Sequence, residues 1–212
     1  VSDGSSVVPG DDLGKVSGSA GSILRGERIA LNFMQRMSGI ASDTNKYVRE
    51  IEGCKARIVD TRKTLPGHRY LDKYSVRMGG GYNHRFNLAD GILIKDNHIE
   101  ALSSQKMGLG DVVRLALEKA SHTIKIEVEV ESLDQLKEAL DAGAHIIMLD
   151  NMSVETMRQA MALVDGRAII EASGGITLDS VKSVAETGVD LISIGSLTHS
   201  SSALDISLDL EY

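Results

Sequence analysis

The chain has 212 residues and carries 30 Asp/Glu against 23 Lys/Arg, a formal net charge of −7. That acidic balance argues against a nucleic-acid surface, and no apolar run or charged leader suggests a membrane span or export, so a cytoplasmic setting without membrane contact is expected. A single cysteine, Cys54, excludes an internal disulfide framework, and with no Trp, two Phe and five Tyr the core must be aliphatic, as in parallel α/β folds.

Residues 1–26 are rich in Gly and Ser, with Pro9 before Gly10, and read as short strands and turns. The segment Glu27–Glu50 turns helical, with Ile29, Phe33, Met37 and Ile40 recurring at spacings of three to four and Gly39 a weak point within it. From Lys55 onward short apolar runs alternate with amphipathic stretches. The runs are 56–60, 91–95, 124–130, 145–150, 168–172 and 190–194. Between the later runs lie helical patterns at Leu109–Ala120, Leu133–Ala142, Val154–Val164 and Leu178–Thr187. Ser132, Ser153 and Thr177 stand at N-cap positions, and Gly143 and Gly188 at helix stops.

Such alternation predicts βα units and a parallel sheet, either doubly wound or a (β/α) barrel. Polar residues fall at the C-terminal end of nearly every strand: Arg62 and Lys63, Lys95, Glu129, Asp150, Ser173-Gly174-Gly175 and Gly195-Ser196. In a barrel those ends converge on one mouth, which favours the barrel.

The segment Asp60–His98 holds seven Lys/Arg against four Asp, a local balance of +3 in an acidic chain. Clustered cations and glycines suit a small polyanion. Thr61-Arg62-Lys63 offers a planar fork for a carboxylate beside a point charge for phosphate. Gly79-Gly80-Gly81 leads into Asn83-His84-Arg85, a loop that either approaches a ligand closely or merely connects; His84 and Arg85 would suit an aromatic carboxylate. Lys95 ends a strand and needs an anion, supplied by a ligand or by Asp96. Glu127, Glu129 and Glu131 share one strand face, which inside a barrel would serve a metal or sugar hydroxyls, and Asp150 follows one βα unit later. The glycine turns at 173–175 and 194–196 suit a phosphate.

Several blocks of the chain resemble those of the quinolinate phosphoribosyltransferase family: GERIALNFMQRMSGIAS (26–42), DTRKTLPGHR (60–69), KYSVRMGGGYNHRFNLADGILIKDNHI (73–99), IEVEVES (126–132), MLDNM (148–152), ASGGI (172–176) and ISIGSLTHS (192–200). They run in family order with no departure at a motif position. The resemblance implies an α/β fold, a (β/α) barrel that is incomplete or seven-stranded, preceded by the end of an N-terminal α/β sandwich domain. The expected division is 1–27 as that domain's remnant, 28–50 as a linking helix, 51–199 as the barrel, and 200–212 as a tail packing back on the N-terminal part. Family members extend further upstream, in keeping with a first residue that is Val1 rather than Met.

The activity implied is transfer of phosphoribosyl from phosphoribosyl pyrophosphate (PRPP) to quinolinate with decarboxylation, giving nicotinate mononucleotide, pyrophosphate and CO₂ with Mg²⁺. By that resemblance Arg62, His84, Arg85 and Lys95 would hold the two pyridine carboxylates, with Arg28 reaching in from the partner of a homodimer. Thr61 would line the same loop and Lys63 would meet the pyrophosphate. Glu129 and Asp150 would hold ribose hydroxyls and the metal, while Ser173, Gly174, Gly175, Ile194, Gly195 and Ser196 would cradle the 5′-phosphate. Lys63, Lys95, Glu129 and Asp150 are the expected catalytic group. The alternatives are a phosphoribosyltransferase for nicotinate or another aromatic acid, a phosphosugar isomerase on the same phosphate cup, and a non-catalytic pyridine-nucleotide sensor.

Overall fold

The computed structural model of the chain describes residues 1–104 and 106–210; residues 211 and 212 of the expected tail lie outside it. Every predicted apolar run forms a strand: β1 Arg57–Val59, β2 Ile92–Ile94, β3 Ile126–Val130, β4 Ile146–Asp150, β5 Ile169–Ser173 and β6 Leu191–Ser193. All pairings are parallel, and the sheet order is β1-β6-β5-β4-β3-β2. From β2 to β6 the strands follow the chain without the reversal that marks a doubly wound sheet. β1 pairs with β6, as barrel closure requires, and the seam falls between β1 and β2. Among the described residues this is the incomplete (β/α) barrel, with six strands and not seven. A single parallel bridge lies on the free edge of β1, where the Tyr82 N–H donates to the Ile58 carbonyl (2.8 Å) and the Asp60 N–H to the Tyr82 carbonyl (3.1 Å).

The predicted helices appear as α4 Leu109–Lys119, α5 Leu133–Asp141, α6 Val154–Val164 and α7 Leu178–Ala185. Ser132 and Ser153 accept the backbone N–H of Gln135 and Thr156, which satisfies donors that a helix N-terminus leaves open. Buried Val, Ile, Leu and Ala side chains from the strands and these helices make one continuous aliphatic core. On β3, Ile126, Val128 and Val130 alternate with Glu127 and Glu129, so the acidic face is turned the other way, into the barrel.

Two expectations for the N-terminal part are corrected. No strand forms in residues 1–19; Val7, Val8 and Val16 are exposed and find no ladder partner, although the Pro9-Gly10 turn closes as expected through the Asp11 N–H and the Val8 carbonyl (3.1 Å). The first helix, α1 Ala20–Glu50, begins before Glu27. Gly21 and Gly26 read as breakers at about 1 kcal/mol each, but extending an established helix gains one hydrogen bond per residue and runs through them.

The tail returns onto α1. The Leu204 N–H donates to the Gln35 carbonyl (3.0 Å), the Gln35 side chain to the Ile206 carbonyl (2.8 Å), and the Ser201 hydroxyl to Asp43 (2.7 Å). Gly39 lies under this crossing: a Cβ there would stand 1.9 Å from the Ser202 carbonyl oxygen. The weak point in the helix is therefore a contact requirement. Gly39→Ala is expected to lower stability by about 1–3 kcal/mol through overpacking, although the same change gains about 1 kcal/mol in an open helix. Gly26→Ala, with nothing within 4 Å of its added methyl, should raise it. Urea midpoints of the two variants check the opposite signs.

Candidate active site

All six strands point the same way, so the residues after β1 to β6 gather at one end of the barrel. Two further helices, α2 Arg69–Met78 and α3 Asp96–Ser103, border this end. The loop after β1 is held by Thr61, which accepts the Lys63 N–H (3.0 Å), and by Arg69. The Arg69 guanidinium donates to Thr64 Oγ1 (3.2 Å), the Arg62 carbonyl (3.3 Å) and the Phe86 carbonyl (3.2 Å), tying the Arg62-Lys63 loop to the loop carrying His84 and Arg85.

Beneath both loops lies a buried ion pair that the sequence reading did not single out. Lys73 of α2 bonds to Asp60, which is fully buried, and to the His84 carbonyl (3.0 Å). Asp60 also accepts the Asn83 amide (2.6 Å) and the His84 N–H (2.9 Å). Burial favours the uncharged form of each partner, raising the Asp60 pKa and lowering that of Lys73 against the pull of their pairing. The triglycine before this loop is close-packed, not slack: a Cβ on Gly79 would stand 2.3 Å from the Ala41 carbonyl oxygen of α1.

His84 enters the barrel interior. Its Nε2 lies 3.2 Å from Glu127 of β3 and 3.4 Å from Glu171 of β5, and its Nδ1 accepts the Arg85 N–H (2.8 Å). Burial of the ring disfavours its charged form, while Glu127 and Glu171 draw a proton to Nε2 and raise the pKa. The Arg85 amide opposes a second ring proton, because Nδ1 must keep its lone pair to accept that N–H. The short Nδ1 contact is the more direct constraint, so in this arrangement the proton sits on Nε2. Glu127 is held above the usual carboxylate range, chiefly by burial and then by the charge of Glu171, against the hydrogen bond from His84.

Arg85 is anchored through the Gly91 carbonyl (3.1 Å). Its pKa is lowered by burial and then by the nearby Arg62. Two guanidinium groups facing one another repel, and a bound anion removes that penalty. Lys95 does not pair with Asp96. Its partner is Glu129, because the β2–β3 register sets Ile94 beside Val128 and carries the next residues together. His98 accepts the Lys95 N–H (3.0 Å) and caps α3.

On β4, Asp150 stands beside Ser173 of β5 and accepts the Asn151 side-chain amide (2.8 Å). Gly174 and Gly175 have φ of +95° and +58°, and a Cβ on Gly174 would stand 2.3 Å from the Asn151 side-chain oxygen. At Gly174 no side chain fits, and the turn leads through Thr177 into α7. Gly195, at the start of the short α8 (Ser196–His199), lies 3.2 Å, measured from an added Cβ, from the Lys63 methylene chain. The Thr198 hydroxyl donates to the Lys63 carbonyl (2.8 Å). Lys63 thus belongs to the Gly195 turn as much as to its own loop.

Glu129 and Asp150 fit a divalent cation by donor chemistry: two carboxylates on the interior faces of adjacent strands are hard oxygen ligands of the kind Mg²⁺ takes. Arg28 is exposed on α1, about 12 Å along the helix axis from Arg36. Arg36 itself holds Asp72 of α2 through paired hydrogen bonds of 3.0–3.2 Å. Asp60, Lys73, Arg69 and Glu171 were missed as contributors to the site. Arg69 and Lys73 count in the sequence only within the cation cluster of 60–98, and Glu171 shows there as a charge inside an apolar strand run. A cavity of about 470 Å³ lies at the other end of the barrel, among Lys55, His145, Arg167 and Asp190, away from these strand ends.

Fold and site together define a (β/α)-barrel protein whose mouth gathers a cluster of cations around β1 and β2 and glycine turns after β5 and β6. Comparison with known proteins agrees. The family described as "Quinolinate phosphoribosyl transferase, C-terminal domain" matches residues 40–209, and the corresponding N-terminal domain matches residues 1–38. The chain is 48% identical over 208 residues to a probable nicotinate-nucleotide pyrophosphorylase (carboxylating) of Bacillus subtilis (strain 168), covering 98% of this chain and 71% of the relative. It is 45% identical over 213 residues to the nicotinate-nucleotide pyrophosphorylase (carboxylating) of Mycobacterium leprae (strain TN), covering 99% and 73%. Among solved structures, NadC from Streptococcus pyogenes superposes with a TM-score of 0.83 at 48% identity, covering 89% of this chain and 65% of that one. The nicotinate-nucleotide pyrophosphorylase from Francisella tularensis gives 0.84 at 45%, with the same coverage. The chain belongs to the quinolinate phosphoribosyltransferase family, and it spans about 65% of the length of these solved relatives.

Proposed function

We propose that this chain carries the transferase site that joins quinolinate to the phosphoribosyl group of PRPP, releasing pyrophosphate and CO₂ and leaving nicotinate mononucleotide. The observation that carries this reading is the division of the barrel mouth. Arg62 and Arg85 repel each other around β1 and β2, where Lys95 also stands at a strand end, and the Gly174-Gly175 and Gly195 turns follow β5 and β6. The first side suits a dicarboxylate and the second a 5′-phosphate.

Lys95 and Glu129 satisfy each other in the ligand-free chain. Binding exchanges that pair for two ligand contacts, Lys95 with a ring carboxylate and Glu129 with ribose hydroxyls. Glu129 and Asp150 would hold Mg²⁺, which supplies positive charge beside the departing pyrophosphate. Lys63 adds a cation to the phosphorylated end. Loss of pyrophosphate leaves an oxocarbenium-like centre that the pyridine nitrogen attacks, so positioning and electrostatics suffice without a protein nucleophile. The ring nitrogen then carries positive charge and stabilises the carbanion formed as the adjacent carboxylate leaves. Arg85 and Lys95 must not hold that carboxylate more tightly in the ground state than in the transition state.

The working form in this reading is a cytoplasmic homodimer whose Arg28 completes the partner's site. Exposed Leu24, Ile29, Phe33 and Met34 give the N-terminal half of α1 an apolar surface suited to a second copy, and among the described residues no helix is long and apolar enough to cross a membrane. Residues 1–27 would close an N-terminal domain that precedes the barrel.

The test is formation of nicotinate mononucleotide from PRPP, Mg²⁺ and quinolinate, with nicotinate as a parallel acceptor. Product from quinolinate alone, with CO₂ released, is expected. Turnover of nicotinate would move the chain to a sister activity, and tight pyridine-nucleotide binding without turnover would make it a sensor.

A further inference from the structure

Glu171 is fully buried on β5, and neither of its carboxylate oxygens has a hydrogen bond. Among the described residues the group within ion-pair reach is the His84 imidazole, 3.4 Å away. A buried carboxylate with an imidazole as its ion partner and no hydrogen bond is costly, so its place on β5 calls for a role. The same imidazole nitrogen lies 3.2 Å from Glu127, and the opposite ring nitrogen accepts the Arg85 N–H at 2.8 Å. The ring is thus a wedge with carboxylates on one side and the Arg85 backbone on the other.

A metal ion fits this cluster poorly on chemical grounds. A ligand imidazole ordinarily keeps a proton on its second nitrogen to donate outward. Here the second nitrogen faces a donor, so the only ring proton belongs on Nε2, where a metal would have to sit. The proton held between His84 and the two carboxylates is the better occupant.

With both nitrogens engaged, the ring has no free N–H to offer a substrate. We infer that Glu171 is a positioning residue for Arg85: through the His84 ring it fixes the backbone from which Arg85 reaches the acceptor carboxylates, while touching no substrate itself. This rests on the quinolinate reading above and deepens it, because His84 then serves the acceptor by holding Arg85 and not by donating to the acceptor directly.

Two variants and one measurement on the unaltered protein test it. Glu171→Gln keeps the shape and one oxygen facing Nε2, whereas Glu171→Met keeps the size and removes both oxygens. With the unaltered chain active on quinolinate, Glu171→Met is expected to raise the KM for quinolinate at least about tenfold while that for PRPP stays within about threefold, and Glu171→Gln to recover most of the loss. A purely structural role would move both KM values together, and that result, or no change, overturns the inference. If the unaltered chain does not use quinolinate, the functional reading fails by itself. The geometry is then judged by ring ¹⁵N resonances of His84 in the unaltered protein, expected to show a bare Nδ1 and a protonated Nε2. A bare Nε2, or a ring protonated on both nitrogens, would overturn the inference whatever the activity and whether or not the Met variant folds.

Discussion

Replacing Lys73 by Met is expected to cost about 3–5 kcal/mol of stability and to abolish turnover in whatever fraction stays folded. Lys73 and Asp60 form a buried pair, with side chains only 2% and 0% exposed, and Lys73 is the cation in ion-pair contact with Asp60. Removing the cation leaves a carboxylate in the interior, against a total stability for ordinary domains of about 5–15 kcal/mol. The same change frees the loop above, because Lys73 also bonds to the His84 carbonyl. Denaturant unfolding checks the size, and its pH dependence checks the cause. Burial raises the Asp60 pKa in the folded chain even with Lys73 present, and losing Lys73 raises it further. A folded-state pKa above the unfolded value gives stability that is present at low pH and lost as pH rises through it. The variant's deficit against the unaltered protein should therefore be large at neutral pH and shrink on acidification toward the carboxylate range. Adding Asp60→Asn to Lys73→Met should cost less than the sum of the single changes, since the stranded charge goes with its residue. A deficit independent of pH would point to lost packing instead.

How far the sequence reached follows from which forces leave a periodic trace. The strands are legible because each is a short aliphatic run between polar ends, and α4 to α7 because apolar residues recur on one face. Helix α2 left no such trace: its buried residues include Asp72, Lys73 and Ser75, so its inward face is polar and the hydrophobic period is absent. Those side chains are buried because Arg36 and Asp60 meet them from α1 and β1, partners 36 and 13 residues away that no local window contains. Lys95 shows the same limit. Its need for an anion was readable, but proximity in sequence pointed to Asp96, whereas the sheet register supplied Glu129. The glycines divide likewise. Gly174 serves a turn at the mouth, as its motif suggested, while Gly39 and Gly79 are small because the tail and α1 pass over them, which only the folded chain reveals.

Arg85→Ala should separate the two substrates. In the ligand-free chain the Arg85 guanidinium is partly buried, fixed to the Gly91 carbonyl and repelled by Arg62. That arrangement is unfavourable until an anion sits between them, so much of the binding free energy of a dicarboxylate should run through this residue. Truncating one member of a buried, hydrogen-bonded charge pair costs about 2–5 kcal/mol, or a fall of about 30- to 3,000-fold in kcat/KM for quinolinate at 1.4 kcal/mol per tenfold. The proposed PRPP end, Lys63 with Gly174, Gly175 and Gly195, lies on other loops, so the KM for PRPP should move by less than about threefold. Arg85→Lys should recover little, because a point charge cannot reproduce the planar fork. If quinolinate and PRPP suffered equally, Arg85 would be supporting the whole mouth and the division into a carboxylate side and a phosphate side would be wrong. If neither changed, the repulsion between the two guanidiniums would be relieved by solvent alone, and the acceptor would lie elsewhere in the barrel.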